Sequence, residues 1–274
     1  MTDETRRTPD GRFTYLEHGP ERAQPVVFLH GIGGGAELWK GQLDSFGRRY
    51  RTIAWNMPGY GGSAPLETAS VGTYGDALAA FIAALRLDTP VLVGHSIGGM
   101  IVQSFLADGL GDLRAAVLAQ TSPAFGGRDP EWARGFVADR LAPLDRGETM
   151  GTVAEASVAG MIGDDPDPDG VALARAVIAG TPPEAYRAST LAMIGFDRRE
   201  ALACIAVPTL LLSGSKDGNA PAATMAKMAE KIPGGEHVCL EGVGHLAFLE
   251  RPAEFDRAVL DFLDRRIGRE AFPR

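Results

Sequence analysis

The segment Gly94-His95-Ser96-Ile97-Gly98 follows directly on the apolar run Pro90-Val91-Leu92-Val93. A short buried strand that runs into Gly-x-Ser-x-Gly and then into a helical pattern is the sequence form of a nucleophile elbow, a turn that lifts one serine hydroxyl above the end of a sheet. Ser96 is therefore the candidate nucleophile. A serine hydroxyl is weak alone and needs a neighbouring base. Of the five histidines, His18 and His237 fall in or beside strand-like segments without a motif, His30 lies in a glycine turn, and His95 lies inside the elbow. His245 sits in Gly242-Val243-Gly244-His245-Leu246, just past the last strand-like segment. Turns at the carboxyl ends of parallel strands are where such sheets place ligand-facing groups, so His245 is the expected base. An acid is needed to orient the imidazole. Asp217, in Ser213-Gly214-Ser215-Lys216-Asp217-Gly218, follows a strand, whereas Gln120, Thr121 and Ser122 after an earlier strand carry no carboxylate. Two donors must face the developing oxyanion. The N–H of Ile97 and that of Ile32, in the turn His30-Gly31-Ile32-Gly33-Gly34-Gly35, are the candidates.

The elements that must position these groups alternate between strand-like and helix-like patterns, which favours a mostly parallel sheet covered by helices. Strands are expected at 13–17, 26–29, 51–55, 91–93, 115–119, 209–213 and 237–240, with helices at 37–46, 73–85, 97–107, 221–231 and 252–266. Between 122 and 205 no strand pattern is found, only helical stretches near 131–141, 148–162, 171–178 and 183–194, separated by Pro and Gly. That block is too long for an ordinary loop. It reads as a helical cap, residues 122–205, inserted into a core made of 1–121 and 206–274. Gly180 and Gly195 are candidate hinges for it. The acidic run Asp164-Asp165-Pro166-Asp167-Pro168-Asp169 reads as a solvated loop that caps the next helix.

The bulk properties narrow the function classes. A chain of 274 residues with 45% apolar content can bury a large core. A formal net charge of −8 argues against a nucleic-acid partner. No uninterrupted apolar stretch reaches the length of a membrane span, and the polar N-terminal residues lack a signal core. Cys204 and Cys239 show neither a disulfide framework nor paired zinc-ligand spacing. They read as buried free thiols in a cytoplasmic protein. No metal or organic cofactor is expected, the partner is a small-molecule substrate, and homo-oligomer formation is left open.

Taken together, His30-Gly31-Ile32-Gly33-Gly34, Pro58-Gly59-Tyr60-Gly61-Gly62-Ser63, Gly94-His95-Ser96-Ile97-Gly98-Gly99, Gly214-Ser215-Lys216-Asp217 and Gly244-His245 resemble the α/β-hydrolase superfamily in order and spacing over essentially the whole chain. The resemblance implies an α/β fold, a mostly parallel sheet with helices on both faces and a helical cap inserted after the sixth strand. It also implies the chain order Ser96, Asp217, His245 for a triad. The stretches 217–221 and 244–252 are most similar to the 3-oxoadipate enol-lactonase-like branch, which implies an ester or lactone substrate from aromatic-compound catabolism. Meta-cleavage-product hydrolases, which cut carbon–carbon bonds, are similar too, but usually have Asn before the nucleophile and Trp after the histidine, where this chain has His95 and Leu246. Epoxide hydrolases and haloalkane dehalogenases use an aspartate nucleophile, against which Ser96 stands. Amide hydrolysis in N-heterocycle catabolism and a non-catalytic ligand receptor are further alternatives.

The substrate pocket is expected between the sheet top and the cap. Its candidate walls are Trp39, Trp55, Phe125, Trp132, Phe136, Met161, Met193, Ile194, Phe196 and Leu246, a mostly apolar set. An enol-lactone carries a carboxylate, for which a cation would be the partner. Arg128, Arg134, Arg140, Arg175 and Arg187 are available in the cap, and Arg187 is the candidate contact.

Overall fold

The computed structural model describes residues 4–126 and 129–268. Eight strands form one sheet: β1 (Arg6–Arg7), β2 (Thr14–His18), β3 (Pro25–Leu29), β4 (Arg51–Trp55), β5 (Val91–His95), β6 (Ala115–Ala119), β7 (Thr209–Gly214) and β8 (Glu236–Leu240). Their order is β1-β2-β4-β3-β5-β6-β7-β8. The β1–β2 and β2–β4 pairs are antiparallel, and every other pair is parallel. The central strands are short apolar runs buried along their whole length, as a sheet covered on both faces requires.

Alternate side chains divide these strands between two cores. Val26, Phe28, Val91, Val93, Val117 and Leu212 face one side, packing with α1 (Lys40–Phe46) and α10 (Pro252–Arg266). Val27, Leu29, Leu92, Ala116, Leu118 and Leu211 face the other, under α2 (Val71–Ala84), α3 (Ile97–Ala107) and α8 (Ala222–Lys231). The period-two geometry of a strand is what creates both layers. Ser70 and Thr73 start α2 with a reciprocal capping box.

Between β6 and β7 lie α4 (Pro130–Asp145), α5 (Met150–Ala159), α6 (Pro168–Ala179) and α7 (Pro183–Ala192), where the four helical stretches were expected. Proline occupies the first turn of α4, α6 and α7, the position that tolerates a missing N–H. Within the acidic run, Asp167 caps α6 by accepting from the Asp169 N–H at 3.0 Å.

Three short elements escape the sequence patterns: β1, a 3-10 turn at Ala201–Cys204 and the one-turn helix α9 (Ala247–Glu250). The two cysteines are exposed rather than buried. Cys239 lies on β8, which closes the sheet with one free edge, and Cys204 lies on the 3-10 turn. Neither position is covered as a central strand is. Among the described residues no helix is long and apolar enough to cross a membrane.

Candidate active site

The elbow forms where β5 ends and α3 begins. Ser96 has φ 54° and ψ −120°, a conformation that costs an L-residue roughly 1–3 kcal/mol. The surrounding glycines make it fit. A Cβ on Gly94 would stand 2.5 Å from the Gly98 carbonyl oxygen, and one on Gly98 would stand 2.6 Å from the Leu29 carbonyl oxygen. Side chains there would separate α3 from the strand ends. The Ser96 N–H donates to the Ala119 carbonyl at 3.0 Å, and the Thr121 hydroxyl donates to the Ser96 carbonyl at 2.7 Å. The elbow is thus tied to the end of β6.

Asp217 and His245 meet at the ends of β7 and β8. The His245 Nδ1–H donates to Asp217 Oδ2 at 2.8 Å, and both residues are buried. The other carboxylate oxygen, Oδ1, accepts from the Asn219 and Ala220 N–H groups at 2.8 and 3.0 Å. With Nδ1 committed to the carboxylate, the Nε2 of a neutral His245 is the basic nitrogen. Ser96 and His245 line the same cavity, of about 140 Å³.

Ile32 lines that cavity as well, and a Cβ on the preceding Gly31 would lie 3.2 Å from the Ser96 Cβ. The glycine turn therefore runs directly beside the serine. Ile97 begins α3, and its N–H is one of the first-turn donors that no intrahelical carbonyl accepts. His30, in contrast, is committed to structure: its Nδ1–H donates to the Gly31 carbonyl and its Nε2 accepts from the Met57 N–H. Burial pushes its pKa down from 6.5 to about 4. His95 donates its Nε2–H to the His245 carbonyl at 2.7 Å, while its Nδ1 has no partner among the described residues. Burial, and next the proximity of His245, hold its pKa well below the ordinary value.

The cavity wall contains Phe125, Trp132, Phe136, Met161, Met193 and Leu246 from the expected set. Phe125, Trp132 and Phe136 form a cluster with ring centroids 5.4–5.7 Å apart, and Trp132 is 53% exposed. The other expected wall residues lie elsewhere. Trp39 is fully buried in the core, stacked on Phe248 at 4.0 Å. Trp55 packs against Phe81 and Phe13 under the sheet. Phe196 is buried in the α3-side core, and Ile194 is exposed. Arg187 pairs with Asp145 at 2.7 Å and does not reach the cavity. Arg134 pairs with Glu131, and Arg175 with Glu155 at 3.2 Å. Arg128 lies outside the described residues. Arg140 does line the cavity. Its Nε donates to the Tyr186 hydroxyl at 3.1 Å and its guanidinium lies 5.9 Å from the Phe136 ring centroid. No carboxylate pairs with it among the described residues.

Sequence reasoning missed two residues that hold the histidine turn. Gln120, at the end of β6, donates to the Gly244 carbonyl and accepts from the Ala247 N–H. Glu250, in α9, is 2% exposed. Its signal was available: a charged residue directly after the apolar run Leu246-Ala247-Phe248-Leu249 must find partners if that run is buried. Among the described residues no group of three His, Cys, Asp or Glu side chains is placed to hold a metal.

This geometry, a strained serine at a strand–helix elbow over a parallel sheet, defines a hydrolase class. The chain belongs to the alpha/beta hydrolase family, whose sequence model matches residues 26–258. It is 27% identical over 244 residues to the pimeloyl-[acyl-carrier protein] methyl ester esterase of Aeromonas hydrophila, covering 87% of this chain and 94% of that protein. It is also 27% identical over 251 residues to 3-oxoadipate enol-lactonase 1 of Acinetobacter baylyi, covering 87% and 88%. Among solved structures, the enol-lactonase from Burkholderia xenovorans LB400 superposes with a TM-score of 0.83 at 23% identity, over 95% of this chain and 99% of that one. A thermophilic esterase from Thermogutta terrifontis superposes at 0.84 with 25% identity, over 96% and 98%.

Proposed function

We propose that this protein is a cytoplasmic serine hydrolase that cleaves an ester or lactone of a small carboxylic metabolite, of the kind produced in aromatic-compound breakdown. The observation that carries the reading is the hydrogen bond of 2.8 Å from His245 to Asp217, with His245 lining the cavity that Ser96 also lines.

In this reading His245 Nε2 takes the Ser96 proton as Oγ bonds to the substrate carbonyl carbon. The oxyanion so formed accepts from the Ile97 and Ile32 N–H groups, an interaction for which removal of one donor typically costs about 10²–10³-fold in rate. Asp217 holds the imidazole in the required tautomer and stabilises its charged form. The bond to the leaving oxygen then breaks as His245 returns the proton to it. Water, deprotonated by His245, attacks the acyl-enzyme and frees Ser96.

The cavity supports a small acyl group, since about 150 Å³ is the size of a void that admits benzene. Both a methyl ester esterase and an enol-lactonase are among the relatives. Arg140 supplies the cation that a second carboxylate on the substrate would meet.

The test is turnover on a panel of small esters, 3-oxoadipate enol-lactone, a ring-cleavage dienoate and a small amide, with Ser96→Ala as the blank. Ester or lactone hydrolysis with kcat/KM above about 10⁴ M⁻¹s⁻¹, lost in Ser96→Ala, is the expected result. Turnover confined to the dienoate or the amide would replace the reading.

A further inference from the structure

The turn that carries His245 buries Val243 and Leu246 in the core and lies close against its neighbours along the backbone. Gly242 and Gly244 surround Val243, and the backbone is pressed between two neighbours. A Cβ on Gly244 would stand 2.6 Å from the Gly163 nitrogen, and one on Gly163 would stand 2.6 Å from the Gly244 nitrogen. On the other side, a Cβ on Gly214 would stand 2.7 Å from the Val243 carbonyl carbon. Hydrogen bonds join it to both neighbours.

One buried carboxylate supplies two of them and takes in a third backbone donor from the neighbouring stretch. Glu250 Oε2 accepts from the Gly163 N–H at 2.7 Å and the Gly244 N–H at 3.0 Å. Its Oε1 accepts from the Leu246 N–H at 2.9 Å. The side chain thus binds the residues on both sides of His245 and, through Gly163, the stretch that joins α5 to α6. Two backbone bonds continue the same seam: the His245 N–H donates to the Met161 carbonyl and the Asp164 N–H to the Gly242 carbonyl, each at 2.6 Å. No Lys or Arg side chain pairs with Glu250 among the described residues. A salt-bridge role is therefore not what keeps an acid here. Its contacts organise backbone.

We propose that Glu250 is a positioning residue for His245, locking the histidine turn and the cap segment 161–164 into one unit. The proposal rests on the serine-hydrolase reading, because it gives His245 the role of base. Small displacements of a catalytic group are costly, about 10²-fold for 1 Å. Charge-assisted N–H bonds are also the strong ones in a low-dielectric interior.

The experiment compares wild type with Glu250→Gln, which keeps the side-chain size but turns an NH2 toward at least one of the three N–H donors. Active sites are first counted by labelling Ser96 with a p-nitrophenyl phosphonate. Then kcat per labelled site, KM for a small ester, the proton resonance of His245 Nδ1–H, and Tm are measured. The expected result is a fall of about 10–100-fold in kcat per labelled site, KM within about twofold, and a shifted or broadened His245 resonance. Wild-type kcat per labelled site and an unchanged resonance, with only Tm lowered, would overturn the proposal by showing a purely structural role. If Glu250→Gln does not fold, Glu250→Asp, whose shorter chain reaches fewer of the donors, decides by the same two readouts. Failure of the hydrolase reading would look different: no phosphonate label in wild type, and turnover that survives Ser96→Ala.

Discussion

His95, the residue before the serine, donates its Nε2–H to the backbone carbonyl of His245 at 2.7 Å. Two histidines with rings 4.9 Å apart therefore do unlike work. One presents a bonded side chain to Asp217, and the other is a buried neutral strut beneath it.

That neutrality has a consequence for stability. Burial holds His30 at about 4 and His95 well below the ordinary 6.5. Between those values the unfolded chain takes up protons that the folded chain refuses, so stability falls as pH drops below 6.5. The loss from His30 alone reaches roughly 3 kcal/mol once pH has fallen past 4, at about 1.4 kcal/mol per pH unit. Asp256, whose carboxyl burial pushes up, works in the opposite direction as pH falls towards its ordinary 3.8. Urea unfolding at pH 7.5, 6.0, 5.0 and 4.5 should show a steady decline below 6.5, shallower in His30→Gln. A flat profile would contradict the assignment.

The elbow conformation should carry a measurable stability cost. Ser96 makes no side-chain cap bond to α3, so replacing it with glycine removes no hydrogen bond of that kind and relieves the positive φ. Ser96→Gly is expected to gain about 1 kcal/mol in urea unfolding, after the entropy cost of glycine, while abolishing turnover. Such a trade is common where a strained active site limits stability. A destabilised Ser96→Gly would show that the strain is not stored at this residue.

Arg140 should sort substrates by charge. Arg140→Gln is expected to raise KM about tenfold or more for an ester whose acyl group ends in a carboxylate, and to leave a neutral ester of equal length within about twofold. The tenfold figure corresponds to about 1.4 kcal/mol, in the range of one hydrogen bond to a charged group. Equal effects on both substrates would assign Arg140 to the wall alone.

Much of this was legible because local rules and chemistry coincide at the elbow. An apolar run, flanking glycines and a helical pattern point together to β5, the Ser96 turn and α3, and Asp217 and His245 follow the ends of β7 and β8. What escaped is set by tertiary packing. Trp39 follows the glycine turn and is as apolar as a wall residue, yet it stacks in the core on Phe248. Arg140 and Arg187 lie on different helices between β6 and β7, and only the packing of α4 and α7 decides that one faces the cavity and the other an aspartate. Gln120 acts through Gly244 and Ala247, and Glu250 reaches Gly163 besides its near neighbours Gly244 and Leu246; no spacing rule connects the distant partners. Cys239 is exposed because its strand lies at the sheet edge, and Cys204 because it ends a 3-10 turn; neither placement follows from residue type.

The most direct measurement is a rapid quench of the enzyme with a small activated ester, followed by mass spectrometry of the Ser96 peptide. The account predicts an acyl adduct on Ser96 that forms and decays at rates consistent with kcat. It also predicts that Asp217→Asn slows formation of the adduct and that Ser96→Ala prevents it. Hydrolysis without an adduct on Ser96, or near-normal turnover by Ser96→Ala, would contradict the serine mechanism at its root.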